Sequence, residues 1–334
     1  MNYLWTGQQE CYGMNGSVIP CHNSGQDAEF QTGIPWPSQR FSVCGNLVAD
    51  NLTGLKWLKN ANHSEFPLNW QEALDFIAGM NQDKVEDCID WRLPNRRELR
   101  SLLAFNTRKP ALPENHPFEN VFLNWYWTST TAAINPVYAW YIHMEGARMF
   151  YGRKDQYYLF WPVCGKGSDI IPSTGQKKCY DAAGKEIPRN KTGQDGELQL
   201  GFAWPDPRFV VEQSIVKDRL TSLIWLKNAD FSLKKMNWGE AIDLTKNLAQ
   251  NLSEKDMNWR LPSINELESL VDCSQHSPAL PFDHPFENVR DIYWSSTTSF
   301  FEPDWAWVLY LNKGATGVGI KKQRDFYLWP VASQ

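Results

Sequence analysis

Side chains able to do chemistry are plentiful in this chain, but few stand at spacings that chemistry requires. Six histidines are present. His116 and His284 share a context, each opening a His-Pro-Phe-Glu-Asn run, and neither has a second His or Cys at ligand spacing. A structural hydrogen bond is the expected role of both. His22, His63, His143 and His276 have no counterpart, so no shared His-centred mechanism is expected. A nucleophile would need a base held by a third group beside it. There is no Gly-x-Ser-x-Gly, and Ser129-Thr130 and Ser296-Thr297 lie in strand-like runs where hydroxyls satisfy neighbouring backbone. The seven cysteines form no Cys-x-x-Cys pair, which removes zinc ribbons and thioredoxin-like motifs. Their odd number leaves at least one thiol unpaired or intermolecular. Cys11 with Cys21 is one pairing open to the sequence, although Arg189 stands where a second Cys21 would recur. No catalytic residue, metal ligand set or enzymatic activity is expected. A hydrolase would need carboxylates converging in a cleft, which spacing alone neither shows nor excludes.

The elements that would position any site are set by a duplication. Shifting the chain by 168 residues lays Leu52–Ala61 on Leu220–Ala229, Trp91-Arg92-Leu93-Pro94 on Trp259-Arg260-Leu261-Pro262, and His116–Val121 on His284–Val289. Whole domains are repeated, rather than solenoid units. Residues 1–167 form the first repeat and 168–334 the second, with Gly165–Ser173 as the expected linker. Fourteen of the 17 tryptophans recur, Trp5, Trp125 and Trp305 being the exceptions. Buried Trp removes on the order of 200 Å² each from water, so the recurring set reads as framework. The recurring charges Asp50/Asp218, Lys59/Lys227, Glu72/Glu240, Asp75/Asp243, Arg92/Arg260 and Glu98/Glu266 read the same way. The Arg of Trp-Arg-Leu-Pro should be paired, because an unpaired buried charge is strongly destabilising.

After Asn69 the apolar positions Trp70, Ala73, Leu74 and Ile77 keep helical spacing, and Glu72 completes a capping box. Asn237, Glu240, Trp238, Ala241, Ile242 and Thr245 repeat the pattern. A second short helix is predicted after Asn95 or Ser263, with Glu98 or Glu266 three residues on. Runs Leu55–Leu58, Trp125–Thr130, Tyr138–Met144 and Tyr157–Val163 read as strands. Two helices followed by a mostly antiparallel β region give an α+β class.

The ordered set Thr6-Gly7-Gln8, Cys11-Tyr12, Leu-Thr-Gly-Leu-x-Trp, Trp-x-Glu-Ala, Asp90-Trp91-Arg92-Leu93-Pro94-Asn95, Glu98-Leu99, Tyr126-Trp127-Thr128-Ser129-Thr130 and Trp-Pro-Val resembles the C-terminal domain of Legionella collagen-like protein. The resemblance covers nearly the whole chain, twice. It implies tandem C-type-lectin-like domains of an exported bacterial protein, and a family member that is an adhesin associated with sulfated glycans. It also implies a bridge between Cys88 and Cys164. The second repeat departs there, carrying Asp256 and Ala332.

In lectins of that type, Glu-Pro-Asn or Gln-Pro-Asp loops place oxygens on Ca²⁺. The second repeat has Glu302-Pro303-Asp304 in that region, and the first has Asn135-Pro136-Val137, but the partner Trp-Asn-Asp follows neither. No cofactor is therefore expected, Ca²⁺ at this loop being the one left open. Loops near 131–138, 146–157, 298–305 and 314–326 differ between repeats, as binding loops on a fixed scaffold do. The expected ligand-binding residues are Trp125, Tyr138, Phe300, Phe301, Glu302, Asp304 and Trp305. With a net charge of −5, a neutral glycan or a cell-surface protein is a better partner than a sulfated glycan or a nucleic acid. No run reaches the ~18 apolar residues of a spanning helix. Residues 1–20 lack the layout of a secretory signal. The expected protein is non-enzymatic, acts in adhesion or binding, and is secreted, periplasmic or on the cell surface, its signal peptide absent from this chain. The alternative is a structural or assembly module of a bacterial envelope complex.

Overall fold

A computed structural model describes residues 3–248 and 257–333. It is mostly antiparallel sheet with few helices, in two compact units. One unit holds Trp36–Ala203 with Asp272–Ser274; the other holds Met1–Pro35, Trp204–Val271 and Gln275–Gln334. The compact units thus divide the chain elsewhere than at 167/168. Each repeat consists of an arm (residues 3–35, or 171–203 under the same shift) and a body, and each unit combines one repeat's body with the other's arm.

In the first body, Phe41–Cys44, Leu47–Asp50, Lys56–Leu58 and Val163–Cys164 form one antiparallel sheet in that order. Trp125–Thr131, Tyr138–His143 and Met149–Arg153 form a second antiparallel set. The second body repeats both, with Phe209–Glu212, Ile215–Asp218, Leu223–Leu226 and Val331–Ser333, then Ile292–Thr298, Trp305–Tyr310 and Ala315–Ile320. The predicted run Tyr157–Val163 is not a continuous strand. Only isolated bridges at Tyr158 and Leu159 and the pair Val163–Cys164 are regular, since Pro162 has no N–H to give a ladder. Gly165–Ser173 is docked rather than free: Ser168 donates its amide to the Thr53 carbonyl, and Ile171 is buried.

Both helices of each body begin where the capping signals place them. Trp70–Gln82 and Trp238–Lys246 carry full capping boxes from Asn69 with Glu72 and from Asn237 with Glu240. Arg96–Ser101 and Ile264–Ser269 carry theirs from Asn95 with Glu98 and from Ser263 with Glu266. The long helices bury Trp70, Ala73, Leu74 and Ile77, or Trp238, Ala241 and Ile242, in the core. Indole N–H groups find the same backbone acceptors in both bodies: Trp70 on Thr128 and Trp238 on Ser295, each at 2.7 Å. Trp161 on Leu58 and Trp329 on Leu226 follow at 2.8 and 2.9 Å. The arginines of Trp-Arg-Leu-Pro are paired as charge burial demands, Arg92 to Glu98 at 2.5 Å and Arg260 to Glu266 at 2.5 and 2.6 Å.

The arms complete the bodies at the bulge of the first hairpin. The ladder of the first hairpin shifts register between Trp127 and Thr131, and between Trp294 and Thr298. Such a bulge leaves backbone groups without a ladder partner. A glutamine side chain from the arm takes them. Gln176 accepts from the Thr131 amide at 2.8 Å and donates to its carbonyl at 2.7 Å, and Gln8 does the same at Thr298, at 3.1 and 2.5 Å. Beside it, the Thr130 and Thr297 hydroxyls donate to the buried carboxylates of Asp195 and Asp27, both at 2.6 Å. The same hydroxyls accept from the first amides of the short helices, Arg96 at 3.0 Å and Ile264 at 2.9 Å. Lys154 and Lys321 lie 4.0 and 4.1 Å from the ring centres of Trp70 and Trp238. They donate to the arm carbonyls of Tyr180 and Tyr12, each at 3.1 Å. Burial lowers both ammonium groups to about 7.

Burial also raises Asp27 from 3.8 to about 6, despite hydrogen bonds from Thr297 and Thr6. A folded-state value above the unfolded one stabilises the fold below pH 3.8, and that contribution is lost as pH rises through 6. Between pH 4.5 and 7.5 the stability of the native chain should therefore fall relative to Asp27→Asn, by about 2 kcal/mol. The comparison cancels the opposing titration of Lys321, and urea midpoints of the two proteins at both pH values measure it. Arg92→Ala, which strands the Glu98 carboxylate in the core, should cost about 3–5 kcal/mol in the same assay.

Candidate functional site

An open groove of about 560 Å³ lies on the unit that contains the first body. Three segments wall it: the helix Trp70–Gln82, the run Ile89–Leu93, and arm residues 191–200. Leu74, Ile77, Leu93 and Leu200 give it an apolar floor, and Ile89, 70% exposed, stands on its rim. Polar groups are distributed along it. Gln71 is tied to Asp75 at 2.9 Å. Asn81 holds the Trp91 backbone by accepting from its N–H at 2.6 Å and donating to its carbonyl at 2.8 Å. Glu197 accepts from the amides of Lys191, Thr192 and Gly193 at 2.6, 2.6 and 2.8 Å. Burial pushes the Glu197 carboxyl up, but those amides together outweigh it and hold the group below its ordinary value. Lys166 and Lys191 add exposed positive charge to the lining.

The groove depends on a residue that differs between repeats. Ala78 faces it, and a Cβ placed on Gly193 would meet only Leu74, at 3.6 Å. At the matching place in the other unit stands Lys246, whose ammonium reaches across to the Asn23 carbonyl. There a Cβ on Gly25 would lie 2.6 Å from Ile242 and 2.7 Å from Lys246. Arm and helix are in contact at that position of the other unit.

At one end of the groove, Asp90 accepts from the Gly165 amide at 3.0 Å. Cys88 and Cys164 lie beside it with their sulfurs 2.9 Å apart, both as thiols. Asp90 and these two cysteines are the one His/Cys/Asp/Glu group of three or more that converges among the described residues. Burial raises the Cys164 thiol, with Cys88 and Asp90 adding to the effect. With 2.9 Å between them, the two sulfurs need only a small approach to form a bridge. Asp256, the counterpart of Cys88, lies outside the described residues. Cys11 and Cys21 form a disulfide, while Cys179, the counterpart of Cys11, is a buried thiol contacted by the Thr192 hydroxyl at 3.4 Å.

The seven expected ligand residues fall into separate places. Phe300, Phe301, Glu302, Asp304 and Trp305 share the turn before Trp305–Tyr310, where the Trp305 amide donates to the Glu302 carbonyl at 2.8 Å. Phe301 and Glu302 are exposed; the other three are half-buried. This turn is partly covered by the arm, since a Cβ on Gly16 would lie 3.0 Å from the Asp304 amide. In the other unit Gly184 approaches Val137 in the same way. Tyr138 and Trp125, both half-buried, sit at opposite ends of one hairpin, Tyr138 opposite Arg153 and Trp125 opposite His143. Trp125 packs on Tyr141 with ring centres 4.1 Å apart. Glu302 and Asp304 join no third acidic, His or Cys group among the described residues. His116 and His284 serve as packed aromatic rings, each 5.9 Å from a phenylalanine, with Nδ1 buried and lacking a protein partner.

The groove was not among the sequence expectations. The exchange of Ala78 for Lys246 was visible between the repeats, but its effect depends on a distance between arm and helix.

A family model for the Lcl C-terminal domain matches residues 46–164 and again 214–332, more than half of the chain. The chain belongs to that family. Both matches lie within a body, leaving its first strand and the arm outside, so the Lcl C-terminal domains here are each completed by segments beyond the matched residues. No curated protein and no solved structure gives a match. No helix among the described residues is long and apolar enough to cross a membrane.

Intact mass before and after reduction tests the cysteine assignments. The native chain should gain the mass of two hydrogens on reduction, from Cys11–Cys21. Mild oxidation should then add a second bridge that Cys164→Ala prevents. Seven free thiols in the native chain would contradict the assignment.

Proposed function

We propose that this chain is an exported, non-enzymatic binding or adhesion protein whose tandem Lcl C-terminal domains act as C-type-lectin-like scaffolds, with a glycan or a surface protein as ligand. The observation that carries the reading is the open groove over Leu74, Ala78 and Trp91; at the place of Ala78 the duplicate helix carries Lys246, bound to the Asn23 carbonyl. A concave site with an apolar floor and a few fixed polar groups is the common form of a ligand site. Mixed acidic and basic lining suits an uncharged glycan or a polar peptide segment better than a sulfated chain. The lectin-like assignment draws support from the two-helix opening of each body and from Cys88 lying against Cys164. The disulfide Cys11–Cys21 fits an oxidising compartment, and hence export.

A glycan array and a pull-down from cell-surface fractions, each run with Ca²⁺ and with EDTA, would find the ligand. Ala78→Lys then tests the site, because lysine already occupies the equivalent helix position in the other repeat. Ala78→Lys should weaken binding at least tenfold without lowering the unfolding midpoint. Trp305→Ala and Glu302→Ala should leave binding within twofold. Loss on the latter pair, with Ala78→Lys silent, would move the site to the 300–305 turn, and loss with EDTA would make it a calcium site.

A further inference from the structure

The two arms reach their bodies by different covalent routes. Residues 171–203 continue directly from the body they dock against, whereas residues 3–35 dock against a body that begins only at Trp204. The contacts are nevertheless the same. Gln176 and Gln8 cap the bulges, Asp195 and Asp27 receive the threonine hydroxyls, and Tyr180 and Tyr12 offer carbonyls to the buried lysines. Recognition is therefore carried by arm and body themselves and not by the connection between them. The arm that must find its body at a distance also has its own staple. Cys11–Cys21 closes residues 11–21 into a loop, whereas the directly connected arm has Cys179 and Arg189 in those places. A crosslink inside a docking element reduces the ordering it must undergo on arrival.

We infer that the arm is an exchangeable element, and that the cradle formed by Thr297, Thr298 and Lys321 accepts residues 6–27 of a second copy of this chain in place of its own. Two chains then close each other's units with the contacts already described, in the manner of a domain swap. The balance between closed monomer and exchanged pair depends only on the effective concentration of the tethered arm, on the order of millimolar or below. The occupant is a copy of this chain because the cradle requires a glutamine amide, a buried carboxylate and a backbone carbonyl placed as Gln8, Asp27 and Tyr12 place them.

Full-length Gln8→Cys and full-length Thr298→Cys, each in a Cys44→Ser background, should be mixed at about 10 to 500 µM, bracketing the tether's effective concentration from below. After incubation below the unfolding midpoint and mild oxidation, non-reducing gels should show a covalent heterodimer through the two introduced thiols. Its fraction should rise at least tenfold across the series. The double variant Gln8→Cys/Thr298→Cys in one chain should crosslink as a monomer when dilute. Monomers alone throughout the mixed series, with the double variant crosslinking, would overturn exchange. Should either thiol variant fold poorly, unaltered chains labelled with light and heavy nitrogen decide the question. Mixed-mass dimers in native mass spectra after co-incubation support exchange, and their absence at the highest concentration overturns it.

Discussion

One buried ion pair of the two in each body, Arg92 with Glu98 or Arg260 with Glu266, ties together parts that sequence keeps far apart. Arg260 and Glu266 are both almost inaccessible, and burial alone would disfavour charge on either. Their mutual attraction and short hydrogen bonds still leave Glu266 below its ordinary value and Arg260 above its own. The same carboxylate accepts from the Ser263 amide at 2.8 Å, so it caps the short helix while it neutralises the guanidinium. The Arg260 backbone pairs with Val331 in the closing strand. Arg92 and Glu98 repeat these duties with Asn95 and Val163. Removing one partner would therefore expose a charge, fray a helix start and loosen the last strand together. That is why the segment Trp-Arg-Leu-Pro is identical in both repeats.

From this anchor the arm cradle follows. The capped helix presents its first amide to Thr130 or Thr297, which turns that hydroxyl outward to an arm carboxylate. The bulge beside it leaves an N–H and a C=O that one amide side chain can satisfy together, and glutamine does so in both units. Burying an aspartate and a lysine at this junction is costly, as the directions of their shifts show. The cost is offset by specificity: an apolar segment could cover the hairpin but could not complete the bulge.

Local signals made much of this legible. The capping boxes at Asn69, Asn95, Asn237 and Ser263 fall where residue spacing puts them, because caps are satisfied within four residues. The recurring tryptophans and the pairing of Arg92 could be anticipated for a similar reason, since burial dictates both. What escaped were relations between distant segments. Thr-Gly-Gln and Gly-Gln-Asp recur in both arms, yet nothing near them says which body they meet. The turn at 300–305 has the composition of a binding loop, but part of it is covered by the arm at Gly16. The run Tyr157–Val163 has strand composition, while its proline leaves the ladder incomplete.

The duplication also explains how a cleft can arise without destabilising the scaffold. Leu74 and Ile242 are equivalent core residues, so the helix itself is anchored alike in both units. One turn later the side chain points away from the core, and there the repeats diverge to Ala78 and Lys246. Lysine spans to the arm and ties it by a backbone carbonyl. Alanine makes no such tie, and the arm is still held by the shared cradle and by its approach at Gly184 to Val137. Because the cradle already fixes the arm, the contact at position 78 is dispensable, and the space it vacates becomes a groove at little cost in stability. A change at Thr130, Gln176 or Asp195 would instead release the arm wall and remove the groove with it. The site is open to variation at its lining and closed to variation at its support.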